Sequence, residues 1–183
     1  MKVKKTVITF GLISGVISSL LMLGTTTIVD RIGFDKGYIL GYTAIVLSFL
    51  LVFFGIRSYR DNVAEGHITF GKAFAVGICI TLISCVFYVV TWEVLYKTMF
   101  PDFMDKYSAS MIAKAQASGV SGQALQAEID NIQKMKVMYA NPFFNVLMTF
   151  IEPFPVGLVI TLLSAAVLRK KARPEAAQTP AMA

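Results

Sequence analysis

Glu152 stands in the run Glu152-Pro153-Phe154-Pro155-Val156-Gly157, inside the last of four long apolar stretches. No other ionisable side chain lies well inside such a stretch. It is about ten residues from the nearer end, so on a helix rising about 1.5 Å per residue it is about 15 Å deep. A carboxylate at that depth in a bilayer costs on the order of a few kcal/mol or more, and such groups usually face a bundle interior or water. Pro153 and Pro155 remove two backbone donors and free carbonyls near Thr149 and Ile151, so the helix must bend or break there. Broken helices at mid-membrane occur where the backbone is buried or lines a cavity, as at transporter sites.

Two chemistries fit this constellation. One is a neutral carboxyl hydrogen-bonded to a neighbouring helix beside a fixed bend, the reading the residues favour. The other is a proton, ion or substrate site. Equal depth along the other stretches falls at Ser18 or Ser19, at Ser48, and at Ser84 to Tyr88. Ser48, Ser84 and Tyr88 therefore join Glu152, Pro153 and Pro155 as a candidate intramembrane polar site. No basic residue lies at that depth, which points to a protonated acid or a bound cation.

Other chemistry is sparse. Arg57, Arg60 and Lys72 flank the connection after the second stretch and are candidate contacts to lipid headgroups. Cys79 and Cys85, six residues apart on one helix, face different sides and are too far apart for a disulfide. Two buried thiols and the lone His67 are too few ligands for a metal site. No nucleotide loop, Ser/His/Asp set, metalloprotease helix or paired intramembrane aspartates occurs, so no catalytic constellation, metal or cofactor is expected. A net charge of +6 without a basic helix or aromatic-basic platform does not suggest nucleic acid.

The elements that position these residues follow from composition. Of 183 residues, 56% are hydrophobic and 15% charged, with mean hydropathy +0.66. Soluble domains carry about 25% charged residues, so the apolar surplus must face lipid. Spans are expected at about 7–29, 37–56, 73–96 and 143–168, each long enough to cross roughly 30 Å of hydrocarbon. The first has basic residues before it but is too long, and lacks a small-residue cleavage site, for a signal peptide. Ten Lys and Arg fall in the N-terminal, second-connection and C-terminal segments, and seven in the other two connections. The positive-inside rule then puts both termini in the cytoplasm.

Between spans three and four, Phe103, Tyr107, Met111 and Ala115 repeat every four positions, and Leu125, Ile129, Ile132 and Met135 resume the pattern. Gly119 suits a helix C-cap and Ser121 an N-cap, so an external helical hairpin is expected over about 101–139. Its two stripes are expected to pack on each other, with a partner- or ligand-binding cap as the sharper alternative. The tail, 172–183, with Pro174 and Pro180, is expected to be disordered. Gly11 and Gly15 form a Gly-x-x-x-Gly that suits close helix packing inside this bundle, or a homodimer. Ile8-Thr9-Phe10-Gly11 recurs as Ile68-Thr69-Phe70-Gly71, which would fit two parallel two-helix halves, though four residues in so biased a composition weigh little.

Several segments together resemble a bacterial membrane-protein family known as domain of unknown function 4199. They are Lys5-Thr6-Val7 with Phe10-Gly11-Leu12-Ile13-Ser14-Gly15, then Gly55-Ile56-Arg57-Ser58-Tyr59-Arg60-Asp61, Ile68-Thr69-Phe70-Gly71-Lys72-Ala73-Phe74 and Glu152-Pro153-Phe154-Pro155. The resemblance covers the chain to about Lys171 and implies four helices and an inner-membrane home, with no activity to carry over. The fold expected is all-α: a four-helix membrane bundle with an external hairpin between helices 3 and 4. The leading functional expectation is a non-enzymatic structural or accessory protein of the inner membrane, with the bilayer and a homo-oligomer or membrane-protein partner around it. The alternative is a small transporter or channel subunit built on Glu152 and the proline-broken fourth span.

Overall fold

The structure is a computed structural model that describes residues 2–170, so the tail expected to be disordered lies outside the described residues. Within them the chain forms α1 (Lys2–Ile32), α2 (Phe34–Asn62), α3 (Phe70–Thr98), α4 (Phe103–Ala117), α5 (Gly122–Tyr139), α6 (Pro142–Ile151) and α7 (Phe154–Leu168). α1, α2, α3 and the α6–α7 pair are long and apolar enough to cross a membrane. Leu20, Ile39, Val90 and Val167 are each more than half exposed on the outside of the bundle, a surface that needs lipid rather than water. The protein is thus an all-α membrane fold, as the composition requires.

Local sequence explains where the helices turn. Gly33 alone separates α1 from α2, at φ +82°, a conformation open to glycine without a Cβ clash. Thr69 caps α3, its Oγ1 accepting from the Lys72 amide at 3.4 Å. Asn141 caps α6 by accepting from the Phe143 and Phe144 amides at 2.9 and 3.4 Å, and Pro142 fills the first turn, where its missing N–H is no loss. The two copies of Ile-Thr-Phe-Gly stand at different positions of their helices. Thr69 caps a helix start, whereas Thr9 lies in the interior of α1.

α1 packs on α2 and α3, and α7 packs on the same two helices from the other side. Small residues set the seams. A Cβ on Gly11 would stand 2.9 Å from Ile83, and one on Gly15 2.6 Å from Phe87, so the Gly-x-x-x-Gly face is spent on α3 within the chain. Val52, Ile56 and Ile80 are fully buried at the centre, beside a Thr81–Thr161 hydroxyl pair at 3.0 Å that ties α3 to α7. At the end that carries the termini, Ile68 and Lys170 exchange two backbone hydrogen bonds of 2.9 Å, joining the entry to α3 with the exit from α7. α6 behaves differently: it packs on α3 and α5 but has no comparable packing on α2. The bundle is therefore solid at the termini end and parted at the hairpin end.

Candidate functional site

The parting begins at the prolines. Glu152 still donates its amide to the Met148 carbonyl at 3.2 Å, then the ladder stops and resumes with Gly157 donating to Pro153 at 3.0 Å. Pro153 is fully buried at the break. This is the interruption expected from two prolines two residues apart. It lets α7 stay on α2 and α3 while α6 follows α3 alone.

The space left is a cavity of about 650 Å³ between α1, α2, α3 and α6, roofed by α4 and α5. That volume lies within the range of about 300–1,000 Å³ common for small-molecule sites. Glu152 lines it, together with Pro155, Thr149 and the glycine step Gly37 and Gly41 on α2. The Tyr88 hydroxyl donates to Glu152 Oε2 at 3.0 Å, and Oε1 has no protein hydrogen-bond partner among the described residues. Trp92, one turn beyond Tyr88, donates its indole N–H to the Tyr139 hydroxyl at 2.8 Å. Burial pushes the Tyr139 phenol up to about 12, so it remains a neutral hydroxyl that can accept and donate at once. Buried Thr149 donates to Asn145 Oδ1 at 3.2 Å on the adjoining face of α6.

The roof is aromatic. Phe103 meets Trp92 edge-on at 4.9 Å and Phe34 at 5.7 Å, and Tyr107 meets Phe34 at 5.4 Å. Tyr38 and Tyr42 face each other at 4.5 Å on the α2 wall. Among the residues lining the cavity, Glu152 is the only carboxylate, and none is Lys, Arg or His.

Of the partners expected at equal depth, Tyr88 reaches Glu152 and the two serines do not. Ser48 donates to the Ala44 carbonyl at 2.8 Å, while its own carbonyl accepts from Ser14 at 2.9 Å, in the α1–α2 seam. Ser84 donates to Ile80 at 3.1 Å and towards Gly11 at 3.5 Å, in the α1–α3 seam. Depth is a one-dimensional quantity, and the rotation of each helix decides what faces what. Ser19 likewise pairs with Thr91 at 2.7 Å, away from the carboxylate.

Arg57, Arg60 and Lys72 cluster at the termini end. Arg60 pairs with Asp61 at 2.7 Å and reaches the Leu168 carbonyl at 3.5 Å, helping to close α7. Arg57 lies 3.7 Å from Asp61 and is largely exposed, as is Lys72. Sequence reasoning missed Tyr42, Trp92, Tyr139 and Asn145 as site residues. Trp92 carried a usable signal, since it lies four residues after Tyr88 and hence on the same helix face. Asn145 carried one too, as an amide inside an apolar span, four residues before Thr149; Tyr139 carried none, because its placement depends on how the hairpin folds back.

Fold and cavity together define an all-α membrane protein with a capped chamber at one end. The chain belongs to the family described as protein of unknown function DUF4199, whose profile matches residues 9–170. Comparison with curated proteins and with solved structures gives no match.

Proposed function

We propose that this chain is a multi-pass, non-enzymatic protein of the bacterial inner membrane that binds a small solute in its chamber, as a small transporter or transport subunit would. One observation carries the reading: a cavity of about 650 Å³ reaches Glu152. A purely structural role would be served better by a packed core around that carboxyl, since an unfilled cavity sacrifices van der Waals contact. The excess of Lys and Arg at the termini end supports cytoplasmic termini, with the chamber opening on the opposite side. Four helices enclose little volume, so a complete pathway would call for a second copy or a partner subunit beside this one.

The test is water access. In a chain with Cys79→Ala and Cys85→Ala, a cysteine is placed at Ala44, which lines the chamber wall, or at Val52 in the packed core. After reconstitution in vesicles, Ala44→Cys is expected to react with a water-soluble thiosulfonate and Val52→Cys to stay inert. Equal inertness at both positions would return the protein to a scaffold role.

A further inference from the structure

The solute-binding reading leaves the ligand open, and the chamber's own chemistry narrows it. We propose that the chamber binds an organic ammonium cation on an apolar or aromatic body, with its charge against Glu152 and its body against the surrounding aromatic rings. This inference rests on the reading above and specifies its ligand.

Charge comes first. Glu152 is the one acidic residue of the lining, and no Lys, Arg or His stands among the others. An anionic ligand would find no positive group to compensate it in a mostly apolar setting, where a lone charge is costly. A cation would supply the counter-charge that the protein leaves out. Oε1, which has no protein hydrogen-bond partner among the described residues, is the oxygen open to it, while Tyr88 holds Oε2 and fixes the carboxylate plane.

The walls then choose among cations. A hard metal ion wants six or more oxygen ligands, and a softer one a cluster of His, Cys and carboxylates. No group of three or more His, Cys, Asp or Glu that could hold a metal occurs among the described residues. Aromatic side chains meet the carboxylate instead. Tyr88 bonds to it, and Tyr42 from α2 and Tyr139 from α5 line the same cavity. Trp92 is held in place by its bond to Tyr139 and by the Phe103 ring packed edge-on against it. The negative faces of such rings attract weakly hydrated ammonium groups, more strongly where water is excluded. Size agrees: the volume suits a drug-sized body rather than a bare ion.

Trp92 is the only tryptophan of the chain and lines the chamber, so its fluorescence reports on the site directly. The protein in lipid nanodiscs is titrated with benzyltrimethylammonium, with benzenesulfonate and with benzyl alcohol. A saturable change with the cation alone is expected, weakened about tenfold or more in Glu152→Gln, as loss of the opposing charge in a low-dielectric site requires. Equal binding of benzenesulfonate, or an unchanged Glu152→Gln titration, would overturn the proposal. So would no response to the cation at all.

A second measurement needs no Glu152 variant to fold. At Ala44→Cys, a cationic thiosulfonate is expected to react faster than an anionic one of similar size, relative to their ratio at an exposed hairpin cysteine. An Ala44→Cys that reacts with both reagents at that hairpin ratio would leave the solute-binding reading standing and sink the cation. An Ala44→Cys that reacts with neither would sink both.

Discussion

A methyl group added at Gly157 would stand 2.5 Å from Thr81 Cγ2 and 2.9 Å from Phe49 Cζ, whereas one added at Gly41 would meet nothing within 4 Å. Both glycines lie inside apolar helices, so propensity alone would favour alanine at either by about 0.5–1 kcal/mol. The surroundings decide the sign. Gly157→Ala is expected to destabilise the protein by about 1–3 kcal/mol through overpacking, and Gly41→Ala to be neutral or mildly stabilising. Unfolding in mixed micelles with increasing anionic detergent measures both, and equal losses would mean the chamber is closed around Gly41. The same contrast shows what single residues disclosed beforehand. Glu152, Pro153 and Pro155 were legible because an intramembrane acid and two helix breakers have no cheap alternative use. Ser48 and Ser84 misled because hydroxyls satisfy themselves on their own helix carbonyls, as both do here.

Hydrophobic runs and their length disclosed the four elements long and apolar enough to cross a membrane, and the helices extend only a few residues beyond the expected spans at most ends. The hairpin was legible as two helices, with Gly119 at φ +83° ending the first and α5 beginning after Ser121. What its stripes face was not. An apolar stripe says that one side is covered and leaves the cover unnamed. α4 and α5 do pack on each other, yet Phe103 and Tyr107 also turn onto the chamber. Little else binds α4 to the bundle. Lys106 bridges to Asp30 at 2.9 Å and Lys114 pairs with Asp35, both exposed pairs that salt screens. The hairpin is thus a cover held by a ring cluster, the Trp92–Tyr139 hydrogen bond, the packing of α5 on α6 and two latches. Replacing both latches, in Asp30→Asn with Asp35→Asn, is expected to speed amide exchange across α4 and α5 several-fold while α1, α2 and α3 exchange as before. The gain should shrink in high salt, where the wild-type latches are already weakened. Unchanged exchange would assign the closure to the ring cluster, the Trp92–Tyr139 bond and the packing of α5 on α6.

Across the whole molecule the asymmetry of packing runs parallel to an asymmetry of charge. At the hairpin end, Lys97, Lys106, Lys114 and Lys136 each pair with an acid: Glu93, Asp30 and Asp102, Asp35, and Asp105 respectively. At the termini end, acids are few beside Arg57, Arg60, Lys72, Arg169 and Lys170. Counting charges along the sequence separates the two ends by ten to seven; pairing widens that gap, because a neutralised lysine attracts anionic headgroups less. The proposed topology accordingly sets the solid end, sealed by Val52, Ile56 and Ile80, on the cytoplasmic side and the hollow end away from it. In the chain without native cysteines, Ser118→Cys is expected to label with an impermeant maleimide on intact spheroplasts, and Asn62→Cys only after lysis. The reverse pattern would put the chamber on the cytoplasmic side. Glu152 would then draw its ligand from inside the cell, and the basic termini end, rather than the charge pairs of the hairpin, would be what the outside surface meets.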